Sequence, residues 1–160
     1  MTLAGLLTGL WLAASAAPGL ATAADSEDPA AIRALRDASN RAIAAHDLKT
    51  LMPVFAEDAV FVFSNGASAV GRAGMAAVFA RDFADPAFIT YVRSPTAVTV
   101  SDTGARAVEH GTWEAFKTSP AGPTRYGGDY AAHWARTPDG WRIRGELYVK
   151  LRCAGPLCTP

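Results

Sequence analysis

The order in which two periodicities occur constrains this chain more than any single motif. Up to about residue 83 three helical stripes surround one short strand pair; beyond Asp85-Pro86 the apolar residues fall in strand-like runs divided by turn compositions. Asp28-Pro29 reads as a helix start, because Asp caps free N–H groups and Pro suits the first turn. Ile32, Leu35, Ala38 or Ser39, Ala42 and Ile43 then form an apolar stripe, with Arg33, Arg36, Asp37 and Arg41 between them. The spacing predicts an amphipathic helix of about four turns ending near His46. Asp47 is placed to cap a short second helix over residues 48–55, with Leu51, Met52 and Phe55 inward. Residues 59–63 form an apolar strand stopped by Ser64-Asn65-Gly66, and residues 67–70 return. A third helix is expected over about 73–83, with Met75, Val78, Phe79 and Phe83 on one side.

The rest reads as strands over residues 88–93, 97–101, 106–117, 125–136 and 141–151. Ser101-Asp102-Thr103-Gly104, Pro120-Ala121-Gly122-Pro123 and Thr137-Pro138-Asp139-Gly140 separate them. Strands joined by such short turns run antiparallel. Helices followed by a long meander make an α+β fold. Gly127-Gly128, inside a strand, suits a sharp bend better than a phosphate site.

The 160 residues suit one domain, and 15 basic residues balance 15 acidic ones. No Lys/Arg cluster marks a nucleic-acid partner. Every charged residue lies from Asp25 onward. Residues 1–24 carry an apolar stretch and then Ala21-Thr22-Ala23-Ala24, the pattern of a cleaved secretory signal, although no Lys or Arg precedes it. Small residues and Pro18 interrupt its hydrophobicity, which argues against a retained membrane span. The expected location is periplasmic or secreted, with the domain over residues 25–152 and a tail over 153–160. Cys153 and Cys158 either close a small loop as a disulfide or remain two free thiols. They are too few and wrongly spaced for zinc or a C-x-x-C redox pair.

Three stretches together resemble the nuclear-transport-factor-two-like superfamily, in its SnoaL-like and ketosteroid-isomerase-like branch. They are Ala42 to His46-Asp47 running into Leu51, Phe55 and Glu57-Asp58-Ala59-Val60-Phe61; Asn65-Gly66 followed by Gly71-Arg72-Ala73-Gly74-Met75; and Trp134 with Asp139-Gly140-Trp141-Arg142-Ile143. The resemblance covers about residues 28–151. It implies a cone: three N-terminal helices packed on a strongly curved antiparallel sheet enclosing a pocket. Its members include enzymes, binders and association modules, so fold does not fix function. Where ketosteroid isomerases carry a catalytic aspartate this chain has Phe63, and Ser39 stands near their helix tyrosine, so that isomerase chemistry is not implied.

By the same resemblance Glu146 occupies the place of an inward carboxylate, and Tyr148 shares its face. On the neighbouring strand Tyr130, Ala132 and Trp134 share one face, and Asp129, Ala131 and His133 the other. A simple hairpin pairs Trp134 with Ile143 and groups His133 with Glu146. A one-residue bulge pairs Trp134 with Arg144 and groups Tyr130, Trp134, Glu146 and Tyr148, the arrangement the family favours. Glu146, alone or with His133, is the candidate general acid or base. Asn40, Phe61, Phe63, Trp113, Tyr130, Trp134 and Tyr148 are the candidate ligand-binding residues. Without a metal-ligand spacing, a P-loop or a dinucleotide-binding motif, no cofactor is expected. The leading expectation is an exported homodimer binding a small, partly apolar molecule. An acid–base enzyme using Glu146, or a purely associative module, are the alternatives.

Overall fold

A single stripe of α1 (Ala23–Ala44) faces the sheet: Ile32, Arg36, Ser39 and Ile43 are all buried. A computed structural model describes residues 23–158. The leader assigned to residues 1–24 lies outside the described residues, apart from Ala23 and Ala24 at the start of α1. Because the helix starts there, Asp28 does not cap it. Its carboxylate instead accepts from Trp141 Nε1 at 3.2 Å and pairs with Arg136, tying α1 to a distant hairpin. That hydrogen bond to Arg136 holds Asp28 below the usual carboxylate range.

Asp47 does cap α2 (Leu48–Leu51), accepting from the Thr50 N–H at 3.0 Å. The second helix is shorter than the spacing suggested. Pro53 has no N–H to donate, the chain tightens into a 3₁₀ turn over Met52–Val54, and Phe55 already opens β1 (Phe55–Val62). After the Asn65-Gly66 turn come β2 (Ser68–Val70) and α3 (Gly71–Ala84), whose Met75 and Phe79 are buried. The remaining strands are β3 (Phe88–Val100), β4 (Arg106–Ser119), β5 (Gly122–Thr137) and β6 (Gly140–Ala154). The two strands expected over 88–101 are one, irregular between Pro95 and Ala97. Pro95 is tolerated because β3 is an edge strand.

The six strands lie in the order β2-β1-β6-β5-β4-β3. The sheet is curled but not closed. All neighbours are antiparallel except β1 and β6, which run parallel, so the sheet is mixed rather than purely antiparallel. No hairpin joins β1 to β6; the whole meander lies between them, and nothing local sets their relative direction. With α1 against β3 and α3 against β1 and β2, the three helices cover the sheet's inner side, giving an α+β architecture. Among the described residues no helix is long and apolar enough to cross a membrane.

Two irregularities in the β5–β6 hairpin set the site. Trp134 pairs with Ile143, as in the simple hairpin, but His133 pairs with Gly145, leaving Arg144 as the extra residue. The bulge therefore lies one position beyond where the family pattern put it. The facial outcome is the bulged one, because Tyr130 pairs with Tyr148 and Ala132 with Glu146. The second irregularity falls between Gly127 and Gly128, opposite Leu151. A Cβ on Gly128 would lie 1.9 Å from the Val149 carbonyl oxygen. Beyond it β6 continues to Ala154, past the expected domain end, and Cys153 is joined to Cys158. Replacing Gly128 with Ala should force the two strands apart and lower stability by about 2–3 kcal/mol, read from the denaturant midpoint at unchanged slope.

Candidate functional site

Helical spacing from Ile32 delivers Arg36 to the interior, and the inward alternation of β4 and β6 delivers two carboxylates to meet it. Arg36 is fully buried. Its Nε donates to Glu109 Oε1 at 2.8 Å and its Nη2 to Glu146 Oε1 at 2.6 Å. The guanidinium lies 5.3 Å from both the Tyr130 and Trp134 ring centroids, a cation–π arrangement on two sides. Glu109 also accepts from Trp134 Nε1 at 2.8 Å and from the Tyr130 hydroxyl. Glu146 Oε2 accepts from the Tyr148 hydroxyl at 2.7 Å. Burial alone would pull the Arg36 pKa down, but the charges of Glu146 and Glu109 outweigh it and hold the pKa above its usual range. Burial also pushes the Tyr130 and Tyr148 phenols up, opposed by Arg36 at Tyr130 and reinforced by Glu146 at Tyr148. Both tyrosines stay protonated and donate.

A second buried guanidinium, Arg93 on β3, is handled differently. Its Nη2 donates to Ser39 Oγ at 2.8 Å, while its Nε has no partner among the described residues. Asn40 clamps the Arg93 backbone from α1, donating to its carbonyl at 2.8 Å and accepting from its N–H at 3.1 Å. Burial lowers the Arg93 pKa, Tyr148 opposes that shift and the Arg36 charge adds to it.

In front of these groups opens a cleft of about 530 Å³. Phe63, Phe79, Tyr91, Trp113 and Tyr126 wall it, and Arg93, Glu146 and Tyr148 line its buried end. Trp113 packs edge-on against Tyr148 with centroids 5.5 Å apart and donates from Nε1 to the Val149 carbonyl at 3.1 Å. The Cys153–Cys158 loop contributes a further wall through both cysteines and Leu157, whose N–H donates to the buried Thr124 hydroxyl at 3.1 Å.

Of the sequence-derived candidates, Phe63, Trp113, Glu146 and Tyr148 line this cleft. Phe61, Tyr130 and Trp134 lie behind it in the core. Asn40 serves the α1–β3 junction rather than the cleft. His133 is not with Glu146: it is exposed and paired with Gly145, while Glu146 pairs with Ala132 on the opposite face. The bulge at Arg144 causes that separation, so a Glu146–His133 acid–base pair does not exist here. Partial desolvation of the ring, then the charges of Arg106 and Arg144, hold His133 below its usual range. Arg36, Glu109 and Arg93 were not among the candidates. Arg36 stands four residues after Ile32 and seven before Ile43, and Glu109 shares the alternation of Ala107, Trp113 and Ala115. Those spacings are the signal in the sequence that could have found them. Among the described residues no three His, Cys, Asp or Glu side chains gather as a metal site.

A curled sheet, three helices over it and a polar cluster at the end of an aromatic cleft define an α+β domain of the nuclear-transport-factor-two-like class. More specifically, the SnoaL-like domain family matches residues 24–145, and the chain belongs to that family. A Novosphingobium aromaticivorans protein named for a proposed aromatic ring hydroxylase activity is 26% identical, with a TM-score of 0.69 over 82% of this chain and 95% of its own. A second protein from that organism, named for a proposed scytalone dehydratase activity, is 12% identical at a TM-score of 0.69, over 81% and 88%. A ketosteroid isomerase-like protein of Erwinia carotovora atroseptica is 20% identical at a TM-score of 0.64, over 79% and 98%. No curated protein matches the sequence.

Removing Arg36 would strand two buried carboxylates. Arg36→Met should cost about 3–5 kcal/mol in chemical unfolding, and adding Glu109→Gln and Glu146→Gln to it should recover much of that loss.

Proposed function

We propose that this is an exported protein whose cleft binds a small, partly apolar molecule. One observation carries the binding reading: an aromatic-walled cleft of about 530 Å³ ends on buried polar groups. Ligand sites are concave, mostly apolar and furnished with a few convergent polar groups, at volumes of about 300–1,000 Å³. Glu146 supports holding over proton transfer, because each of its oxygens is already engaged, one by Arg36 and one by Tyr148. The leader over residues 1–24 and the Cys153–Cys158 bond both suit an oxidising compartment.

A second reading is acid–base chemistry through Tyr148. Its 2.7 Å hydrogen bond to Glu146 would let the carboxylate receive a proton that the phenol passes on from a ligand. The enzyme-like names of the structural relatives are in keeping with this, and Tyr91 and Asp82 form a second phenol–carboxylate pair on the cleft wall at 3.1 Å.

The sheet's outer face suggests the partner. Val60 and Val62 of β1 and Leu147 and Val149 of β6 form an exposed apolar block, with Val62 paired to Leu147. We place a second copy of the chain there, since a self-complementary face closes as a two-fold dimer.

Native mass spectrometry tests both parts, with a fragment screen followed by NMR. Dimer mass is expected, reduced to monomer by Leu147→Asp with Val149→Asp. Aromatic fragments should shift the Trp113 indole N–H, and Trp113→Ala should weaken their binding at least about tenfold. A monomer would refute the dimer, and fragments that leave every cleft residue unshifted would refute the binding site.

A further inference from the structure

The charges around the inner end of the cleft are not evenly matched. Glu109 and Glu146 both belong to Arg36, at 2.8 and 2.6 Å. Arg93 is just as deeply buried, at 3% exposure, yet among the described residues it has no carboxylate within ion-pair distance. Its side chain makes one hydrogen bond there, to the neutral Ser39 hydroxyl, and its Nε has no partner. A buried cation without a counter-charge is costly, and buried charges are ordinarily paired. Arg93 is also a cleft-lining residue, so a group bound in the cleft can approach it.

The charged lining as a whole carries a positive excess. Arg81, Lys117 and Lys150 join Arg93, against Asp82 and Glu146. Arg81 pairs with Asp82 at 3.8 Å, Lys117 is held by Asp85 at 3.0 Å, and Lys150 makes no ion pair among the described residues. The positive excess thus comes down to Lys150 near the mouth and the carboxylate-free Arg93 within. A cleft with such walls concentrates anions.

We infer that the molecule bound in the cleft is an amphipathic monocarboxylate, its apolar body against Phe79, Trp113 and Tyr126 and its carboxylate completing Arg93. This rests on the binding reading above and gives it a ligand class. A guanidinium and a carboxylate match in planar geometry and charge, and the pair forms out of bulk water. Lys150 adds attraction along the approach, which salt should weaken.

The test uses two matched pairs: 3-phenylpropionate with 3-phenylpropanamide, and octanoate with octanamide, each titrated calorimetrically into the full-length protein. At least one acid should bind about tenfold or more tightly than its amide, the preference expected of a charge-assisted hydrogen bond. Arg93→Gln should bring the acid down to the level of its amide. Lys150→Gln, at an exposed position, should weaken the acid a few fold and flatten its salt dependence, and it serves where the Arg93 variant does not fold. Amides binding as tightly as acids would overturn the inference and leave the binding site standing. Failure of all four compounds to bind at millimolar concentration would overturn both.

Discussion

One guanidinium facing two carboxylates holds the interior together. Arg36 sits on α1, Glu109 on β4 and Glu146 on β6, so the two short contacts fix the helix to two non-adjacent strands of the curled sheet at once. Buried ion pairs seldom add much net stability, because desolvation offsets the Coulombic gain. Their effect is on uniqueness: each carboxylate is satisfied by specific donors, Trp134 and Tyr130 at Glu109 and Tyr148 at Glu146. A rotation of α1 by one residue would leave those groups unpaired. The polar end of the cleft is therefore positioned by the core rather than by loops.

From that anchor the asymmetry between the two buried arginines follows. Arg36 exhausts the interior carboxylates, and Arg93 is left with a hydroxyl. Asn40 fixes the Arg93 backbone from the same helix that carries Arg36, so the satisfied and unsatisfied cations are held in one rigid frame. The aromatic walls add an apolar enclosure whose far side is completed by the C-terminal loop.

Much of this architecture was legible in the residues. Amphipathic stripes placed the three helices and turn compositions placed the hairpins, because both are local properties, although the reading divided β3 into two strands. What escaped were consequences of distance. The parallel β1–β6 pairing depends on where the meander ends, and the break of the second helix at Pro53 depends on β1 being drawn into the sheet. The face that Glu146 shares with Tyr130 and Tyr148 was implied by the family resemblance, the residues alone leaving two registers open, and the position of the bulge that achieves it was not legible. Arg36 is set among the polar residues between the apolar positions of the first helix, because its counter-charges lie 73 and 110 residues away and come beside it only in the fold.

The guanidinium clamp can be observed directly. In a nitrogen-15 NMR exchange measurement at neutral pH, the Arg36 Nε–H should exchange with solvent only as the whole domain opens, far more slowly than that of exposed Arg41. Exchange of Arg36 at the rate of Arg41 would mean that the side chain samples water and that the Glu109 and Glu146 contacts do not hold α1 in place.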